Sequence, residues 1–190
     1  MNGEFKAAMA FAMKQECPGG DRTKCKSDAK DDPGGRTNQG VIQTTYDGYR
    51  QTHGQPLQSV YDAVDSEIDV IYYERFWLRG GCDKLPHPLS ILHFDGCVNV
   101  GTETRHKNGT EKRSAIQLLQ QALGVTADGV IGAGTMAAIH AANIDELIMK
   151  VWAERVIYYD TLDEKNPALT KFLTGGWLRR LRHFYEEFVK

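Results

Sequence analysis

The sequence predicts a mostly α-helical fold. Apolar residues recur three and four positions apart along several stretches, which is the spacing of one helix face. The first such stretch is residues 4–16 and the last is residues 177–188. Glycine and proline instead crowd residues 17–43, where turns and a small hairpin around 37–42 are expected. The chain is therefore predicted to be a set of helices with one loop-rich region near its start.

The remaining helices follow from the same spacing and from the residues that begin and end helices. The helix that Pro88 begins is the most apolar and is expected to be the most buried. Gly124 ends the predicted helix 112–123, and a turn is expected at residues 128–132. Residues 102–110 are polar throughout and are predicted to be a linker. The further predicted helices are about 44–53, 65–79, 89–99, 112–123, a short one from 135, and 145–162.

Composition excludes several classes of protein. The chain has 190 residues, of which 41% are hydrophobic, so it can bury one core, with room for a small appended subdomain. Its formal net charge of -2 indicates no nucleic-acid partner and no anionic membrane surface. No apolar run approaches the roughly 20 residues that span a bilayer, and the first residues lack the order of a signal peptide. We expect no cofactor, no stable membrane insertion and a monomer.

The four cysteines are an even set, and no two are spaced as Cys-x-x-Cys. Four cysteines permit three pairings, of which the two local ones are favoured because each closes a short segment. These are Cys17 with Cys25 and Cys82 with Cys97. The alternative is four free thiols. No metal site is predicted, because no pair of the six histidines stands at ligand spacing beside a cysteine pair.

Glu16 is a carboxylate in an unusual place. It follows Ala12 by four residues and Met13 by three, so it shares the apolar face of the first helix and stands at that helix's C-terminus. Both features favour a carboxyl that keeps its proton, which is what cleavage of a glycosidic bond requires of its general acid. Asp32 is a candidate second carboxylate, with Asp28 and Asp31 as alternatives. A solvated helix end followed by an Asp that begins a turn is the alternative to a catalytic site.

The motifs of the chain resemble glycoside hydrolase family 108, the bacterial and phage N-acetylmuramidases with a lysozyme-like fold. Most motifs lie in the first 101 residues, and the later ones resemble the family's companion peptidoglycan-binding segment. They are Glu16, Gly19-Gly20, Asp32-Pro33-Gly34-Gly35, Thr37, Gly40-Val41, Tyr46, Ile71-Tyr72, Phe76-Trp77, Asp83-Lys84-Leu85-Pro86, Phe94-Asp95-Gly96-Cys97-Val98-Asn99, Gly101, Ala115-Ile116, Leu118-Leu119-Gln120, Ala122-Leu123-Gly124, Asp128-Gly129-Val130-Ile131-Gly132, Thr135, Arg155, Tyr158-Tyr159, Gly176-Trp177-Leu178 and Arg180.

The resemblance implies hydrolysis of the β-1,4 bond between N-acetylmuramic acid and N-acetylglucosamine. Glu16 takes the place of the catalytic acid, and Asp32 and Thr37 would face it, with the Thr37 hydroxyl holding a water. The chain departs from the family where Cys17 and Pro18 separate Glu16 from the two glycines and lengthen the loop. A bridge from Cys17 to Cys25 would compensate for that extension.

Three further residues are expected to contact the substrate. Tyr46 and Trp77 are aromatic, and aromatic faces pack against the apolar faces of sugar rings, although core packing explains such residues as well. Asn99 has an amide that suits the acetamido groups of the sugars, with a structural role as the alternative. The predicted partner is bacterial peptidoglycan.

The predicted organisation is a catalytic muramidase portion, 1–101, and a helical peptidoglycan-binding-like portion, 102–190, packed into the same globule. A phage endolysin fits this organisation, made in the host cytoplasm without a cleaved signal peptide and acting in the periplasm or cell wall. A bacterial secreted effector is the alternative. Two other activities remain open, a lytic transglycosylase on the same bond and a non-catalytic wall-binding protein.

Overall fold

The computed structural model of the protein describes residues 1–28, 35–107, 110–165, 170 and 173–190. The mostly α-helical prediction is confirmed, and the loop-rich region carries a small three-stranded antiparallel sheet. The described residues divide into two compact units, Met1–Arg75 and Phe76–Lys190. Among the described residues, none of the helices has both the length and the apolar character to cross a bilayer.

The described residues of the first unit form three α-helices and the three-stranded sheet. In chain order its elements are α1 (Gly3–Glu16), β1 (Lys26–Asp28), β2 (Arg36–Asn38), β3 (Val41–Ile42), α2 (Gln43–Thr52) and α3 (Asp65–Tyr72). Tyr73–Leu78 continues the chain after α3 as a π-helical turn.

Helix α1 begins and ends as its sequence predicts. The Asn2 side chain accepts a hydrogen bond from the backbone N–H of Phe5 at 2.9 Å, which caps the first turn. Phe5, Met9 and Met13 are buried along one face. The helix stops after Glu16 because the backbone of Cys17 is extended.

The sheet has the order β1-β2-β3, with both pairs antiparallel. β2 and β3 are joined by the two residues Gln39 and Gly40, whose φ angles are 51° and 77°. Two consecutive positive φ angles are the mark of a type I′ turn, which matches the twist of a hairpin. The hairpin predicted around residues 37–42 is therefore confirmed, and its turn is Gln39–Gly40.

The second unit contains five α-helices and a two-stranded hairpin among its described residues. These elements are α4 (Leu89–Asn99), β4 (Arg105–Lys107), β5 (Thr110–Lys112), α5 (Ala115–Leu123), α6 (Ala133–Ala141), α7 (Ile144–Lys165) and α8 (Leu178–Phe188). A π-helical turn, Leu173–Trp177, leads into α8.

Helix α4 is the centre of the second unit, as its apolar sequence predicts. Every residue from Leu89 to Cys97 is buried, and the helix packs against α5 and α7. Its one buried carboxylate, Asp95, contacts Arg155 of α7 at 2.8 Å and Arg180 of α8 at 2.6 Å. Both arginines are themselves buried. The charge on α4 is thus matched from two other helices.

The stretch predicted as a linker, 102–110, lies at the boundary between the two predicted portions but is not irregular throughout. β4 and β5 pair antiparallel there, with Arg105 opposite Lys112 and Lys107 opposite Thr110. The strand sequences show no apolar alternation, so no local pattern predicts the pairing. Helix α5 consequently begins at Ala115, later than predicted, where Ser114 and Gln117 cap each other's backbone N–H groups.

Candidate active site

The carboxylate of Glu16 faces the turn of the β2–β3 hairpin. A Cβ built on Gly40 would lie 3.3 Å from Oε2 of Glu16 and 3.6 Å from its Cδ. Gly40 has no Cβ, so the carboxylate approaches the backbone of the turn directly. The last residue of α1 and the tip of the hairpin therefore form one site, although 23 residues of chain separate Glu16 from Gly40.

The hydroxyl of Tyr72 meets the same turn. It donates to the backbone carbonyl of Gln39 at 2.9 Å and would lie 2.5 Å from a Cβ on Gly40. Tyr72 is the last residue of α3 and is buried. The site thus contains a phenol beside the carboxylate. The sequence marks Tyr72 only as part of the Ile71-Tyr72 motif of the family resemblance, and no local pattern predicts its contact with the turn.

Gln39 fixes the turn in position. Its side chain donates to Asp65 Oδ1 at 2.8 Å and accepts from Arg22 Nε at 2.5 Å, and Arg22 also contacts Asp69 at 2.8 Å. The backbone N–H of Gln39 donates to the carbonyl of Cys25 at 3.0 Å. Gln39 is buried despite its polarity because these partners satisfy it. The turn that faces Glu16 is therefore anchored to α3 and to the loop before β1.

The bridge predicted between Cys17 and Cys25 is present. Cys17 directly follows Glu16, and Cys25 is the residue whose carbonyl accepts from Gln39. The disulfide consequently ties the end of α1 to the segment that holds the hairpin turn. The covalent bond thereby constrains the connection between Glu16 and β1.

Thr37 lies on β2, opposite Ser27 and Ile42. Its hydroxyl donates to the carbonyl of Gly35 at 3.2 Å, and the residue is half-buried. The structure places Thr37 in the same hairpin as the Gln39–Gly40 turn. Asp32, the predicted second carboxylate, lies outside the described residues, as does Asp31.

Comparison with known proteins gives two family matches. Residues 13–101 match the family described as Glycosyl hydrolase 108, and residues 114–182 match the one described as Predicted Peptidoglycan domain. One segment of the chain is thus similar to glycosyl hydrolase 108 and a second is similar to the peptidoglycan domain. The resemblance drawn from the motifs is thereby confirmed, and the two segments together support hydrolysis of peptidoglycan.

Solved structures agree with this assignment. Ten chains match, and among them SagA from Brucella abortus has a TM-score of 0.65 at 25% sequence identity, with 95% of each chain covered. The search of curated protein sequences found no significant match. The hydrolase segment contains Glu16, Gly40 and Tyr72, so the site described above lies inside the family 108 match.

The structure corrects the role predicted for Tyr46. This residue of the hydrolase segment is completely buried. Its hydroxyl donates to Glu67 Oε2 at 2.6 Å and accepts from Gln58 at 2.6 Å, while Arg50 pairs with Glu67 at 2.7 Å. A ring enclosed by this network has no face to offer a sugar. Tyr46 therefore packs the core of the first unit.

Trp77 is likewise a core residue in the structure, contrary to its predicted contact with substrate. It is 1% exposed and meets the ring of Phe94 edge to face, with 5.7 Å between the ring centroids. Asn99, the third predicted substrate residue, is half-buried at the end of α4. Its side-chain carbonyl accepts from the hydroxyl of Tyr159 at 2.7 Å. A contact between Asn99 and substrate stays a prediction.

The second predicted disulfide is not formed. Cys82 and Cys97 are free buried thiols, and they lie beside His93. Burial, followed by the hydrogen bond to Cys97, raises the pKa of Cys82. Burial also opposes ionisation of Cys97, but the bond from Cys82 and the neighbouring His93 lower the pKa of Cys97 below its usual value. The signal that sequence reasoning missed is the four-residue spacing of His93 and Cys97, which puts both on one face of α4.

Proposed function

We propose that the chain hydrolyses the β-1,4 bond between N-acetylmuramic acid and N-acetylglucosamine in peptidoglycan, with Glu16 as the general acid. Cleavage of such a bond requires an acid that protonates the leaving oxygen. The family 108 segment and the peptidoglycan domain support the substrate class. The substrate is thus polymeric glycan, and no cofactor is required by this chemistry.

The observation that carries the proposal is the position of the Glu16 carboxylate. It stands at the end of a helix, against a glycine turn that hydrogen bonds and a disulfide hold in place. A general acid acts efficiently only when its position relative to the reacting oxygen is fixed. Glu16 has that fixed support at the C-terminus of α1, whereas Glu4 lies at the opposite end of the same helix.

The second group of the reaction is proposed to come from the connection that leads into β2. Asp32 would stabilise the positive charge that develops on the sugar or position a water, and the Thr37 hydroxyl would hold that water. Thr37 supports this assignment by its place in the hairpin whose turn faces Glu16. The separation of the two carboxyl groups would determine whether the enzyme retains or inverts the anomeric configuration.

The proposal places the protein at the cell wall. Peptidoglycan lies in the periplasm or beyond, where oxidising conditions allow the Cys17–Cys25 bridge to persist. A phage endolysin that reaches the wall through a partner's pore fits this location. With a formal net charge of -2, the chain has no general attraction for nucleic acid, and we propose a monomer.

Substitution Glu16→Gln tests the proposal on purified sacculi. The amide keeps the shape of the side chain but holds no acidic proton, so turnover is expected to fall about 10²- to 10⁴-fold. Glu4→Gln, which changes a glutamate in the first turn of the same helix, is the matched control and is expected to match the parent. Equal lysis by the Glu16→Gln variant and the parent would show that Glu16 is not the acid.

Mass analysis of the released fragments tests which bond is cleaved and how. A muramidase leaves reducing N-acetylmuramic acid ends. Anhydromuramyl ends would instead identify a lytic transglycosylase, and reducing N-acetylglucosamine ends would identify cleavage of the other glycan bond. Binding to sacculi without release of fragments by the parent would identify a wall-binding protein.

A further inference from the structure

Two thiols and an imidazole meet in the interior of the second unit, away from any role given to the hydrolase site. Cys82 lies in a short 3₁₀ turn, Cys82–Lys84, and His93 and Cys97 lie one helical turn apart on α4. Their potential ligand atoms all lie within 4.8 Å of one another. All three residues are buried, with exposed fractions of 1% or less. We propose that this cluster is a structural zinc site.

The donor set and its spacing suit zinc. Zinc takes thiolate sulfur and imidazole nitrogen in tetrahedral geometry, at about 2.3 Å and 2.0 Å. These bond lengths put a sulfur and a nitrogen about 3.5 Å apart around one ion. The Sγ of Cys97 and the Nε2 of His93 are 3.6 Å apart in the structure. This pair can therefore hold one ion with little movement of either side chain.

Gly80 leaves room for the cluster and offers a fourth donor. A Cβ on Gly80 would lie 2.5 Å from Sγ of Cys97 and 3.1 Å from Sγ of Cys82, so a larger residue would collide with both sulfurs. Its carbonyl oxygen lies 2.9 Å from Nε2 of His93. Binding replaces the proton of that nitrogen by the metal and leaves the carbonyl oxygen of Gly80 to complete the coordination.

Charge balance favours the site as well. Each thiol releases one proton when the ion binds, so Zn²⁺ with two thiolates and a neutral imidazole has no net charge. A neutral complex avoids the penalty of burying an isolated ion. A disulfide between Cys82 and Cys97 would bond the two sulfurs to each other, but it would not explain why the imidazole of His93 lies beside them. The three donors together point to the metal.

Metal analysis of the full chain tests the proposal. Protein made in zinc-supplemented medium and purified without chelator is expected to contain one zinc per chain by mass spectrometry of the element. Cys97→Ser and His93→Gln are expected to lose the ion. The double variant Cys17→Ser, Cys25→Ser changes the other two cysteines and is expected to keep it, since those residues lie outside the cluster.

A second measurement on the parent protects the test from variants that fail to fold. Cobalt added to the metal-free parent is expected to give the visible absorption of a tetrahedral ion and the charge-transfer bands of thiolate ligation. A parent chain that holds no zinc and gives no such cobalt spectrum would overturn the proposal. The intact mass of the parent gives a second check. A mass two hydrogens below that of the chain with only the Cys17–Cys25 bridge would show that Cys82 and Cys97 form a disulfide, and would also overturn the proposal.

Discussion

At the scale of single residues, Gly40 is the position in the candidate active site that tolerates least change. Its φ of 77° strains any residue with a side chain, and a Cβ there would lie 2.5 Å from the Tyr72 hydroxyl and 3.3 Å from Glu16 Oε2. We therefore expect Gly40→Ala to displace both groups. The free energy of unfolding should fall by about 1 to 3 kcal/mol, measured by urea unfolding, and turnover of sacculi should fall with it.

Gly48→Ala is the matched control for this prediction. Gly48 lies within α2, and no atom lies within 4 Å of a Cβ built there. Alanine in a helix interior is expected to raise the stability by roughly 0.5 to 1 kcal/mol and to leave turnover unchanged. Parental stability and turnover in the Gly40→Ala variant would show that the turn does not hold Tyr72 and Glu16 in place.

Single residues also show where sequence reasoning succeeds and where it stops. The place of Glu16 at the end of α1 could be predicted because it follows from the period of one helix, whereas its role as the acid stays a prediction. Tyr72 could not, since its contact with Gln39 joins residues 33 positions apart. The same limit explains the errors at Tyr46 and Trp77, because a periodic aromatic residue fits both a core and a binding surface. Only the tertiary partners decide between the two.

At the scale of elements, the junction of α1 with the hairpin depends on the Cys17–Cys25 bridge. The two cysteines are separated by 8 positions in the sequence, so the bridge closes a short loop. Substitution of both cysteines by serine is expected to lower the free energy of unfolding by about 2 to 3 kcal/mol, or the melting temperature by about 4 to 12 °C. Because the end of α1 carries Glu16, turnover of sacculi should fall as well.

A reducing agent supplies the control for the bridge. It is expected to lower the melting temperature of the parent to that of the double variant and to leave the variant unchanged. A parent whose melting temperature does not respond to reduction, although its mass shows the disulfide opened, would show that the bridge does not stabilise this junction.

The elements themselves divide into those a local pattern can predict and those it cannot. Helices α1, α4 and α8 carry their apolar stripes in sequence, and the hairpin turn is marked by Gly40. The β4–β5 hairpin has no such mark, because its strands are polar and are held by backbone pairing. Charged residues without apolar alternation are read as a linker from local sequence. This hairpin is therefore recognised only from the three-dimensional structure.

At the scale of the whole molecule, family segments and compact units do not coincide. The hydrolase segment ends at residue 101 and the peptidoglycan domain begins at residue 114, whereas the chain divides physically between Arg75 and Phe76. Helix α4 belongs to the hydrolase segment by sequence but packs against α5 and α7 of the peptidoglycan domain. The second unit therefore has a core to which both segments contribute, and Asp95 is a buried carboxylate in that shared core.

Asp95→Asn tests how strongly the shared core depends on its buried charges. The substitution removes the carboxylate that faces Arg155 and Arg180, both of which are buried, and leaves their positive charge uncompensated. Breaking a buried pair in this way is expected to lower the free energy of unfolding by about 3 to 5 kcal/mol at neutral pH. Glu186→Gln, which breaks the exposed pair of Arg182 and Glu186, should change it by about 1 kcal/mol or less.

The pH dependence of the stability tests the charge of Asp95 independently. Burial raises the pKa of Asp95, but Arg180 and Arg155 outweigh it and hold that pKa below the value of the unfolded chain. The unfolded state then binds more protons, so the contribution of Asp95 is complete above about pH 5 and is lost as the pH falls through the folded pKa. The stability difference between the parent and Asp95→Asn should be constant from pH 7 to about pH 5 and shrink below about pH 4. A difference that stays the same down to the acid unfolding of the parent would mean that packing, and not the charge, makes Asp95 important to both segments.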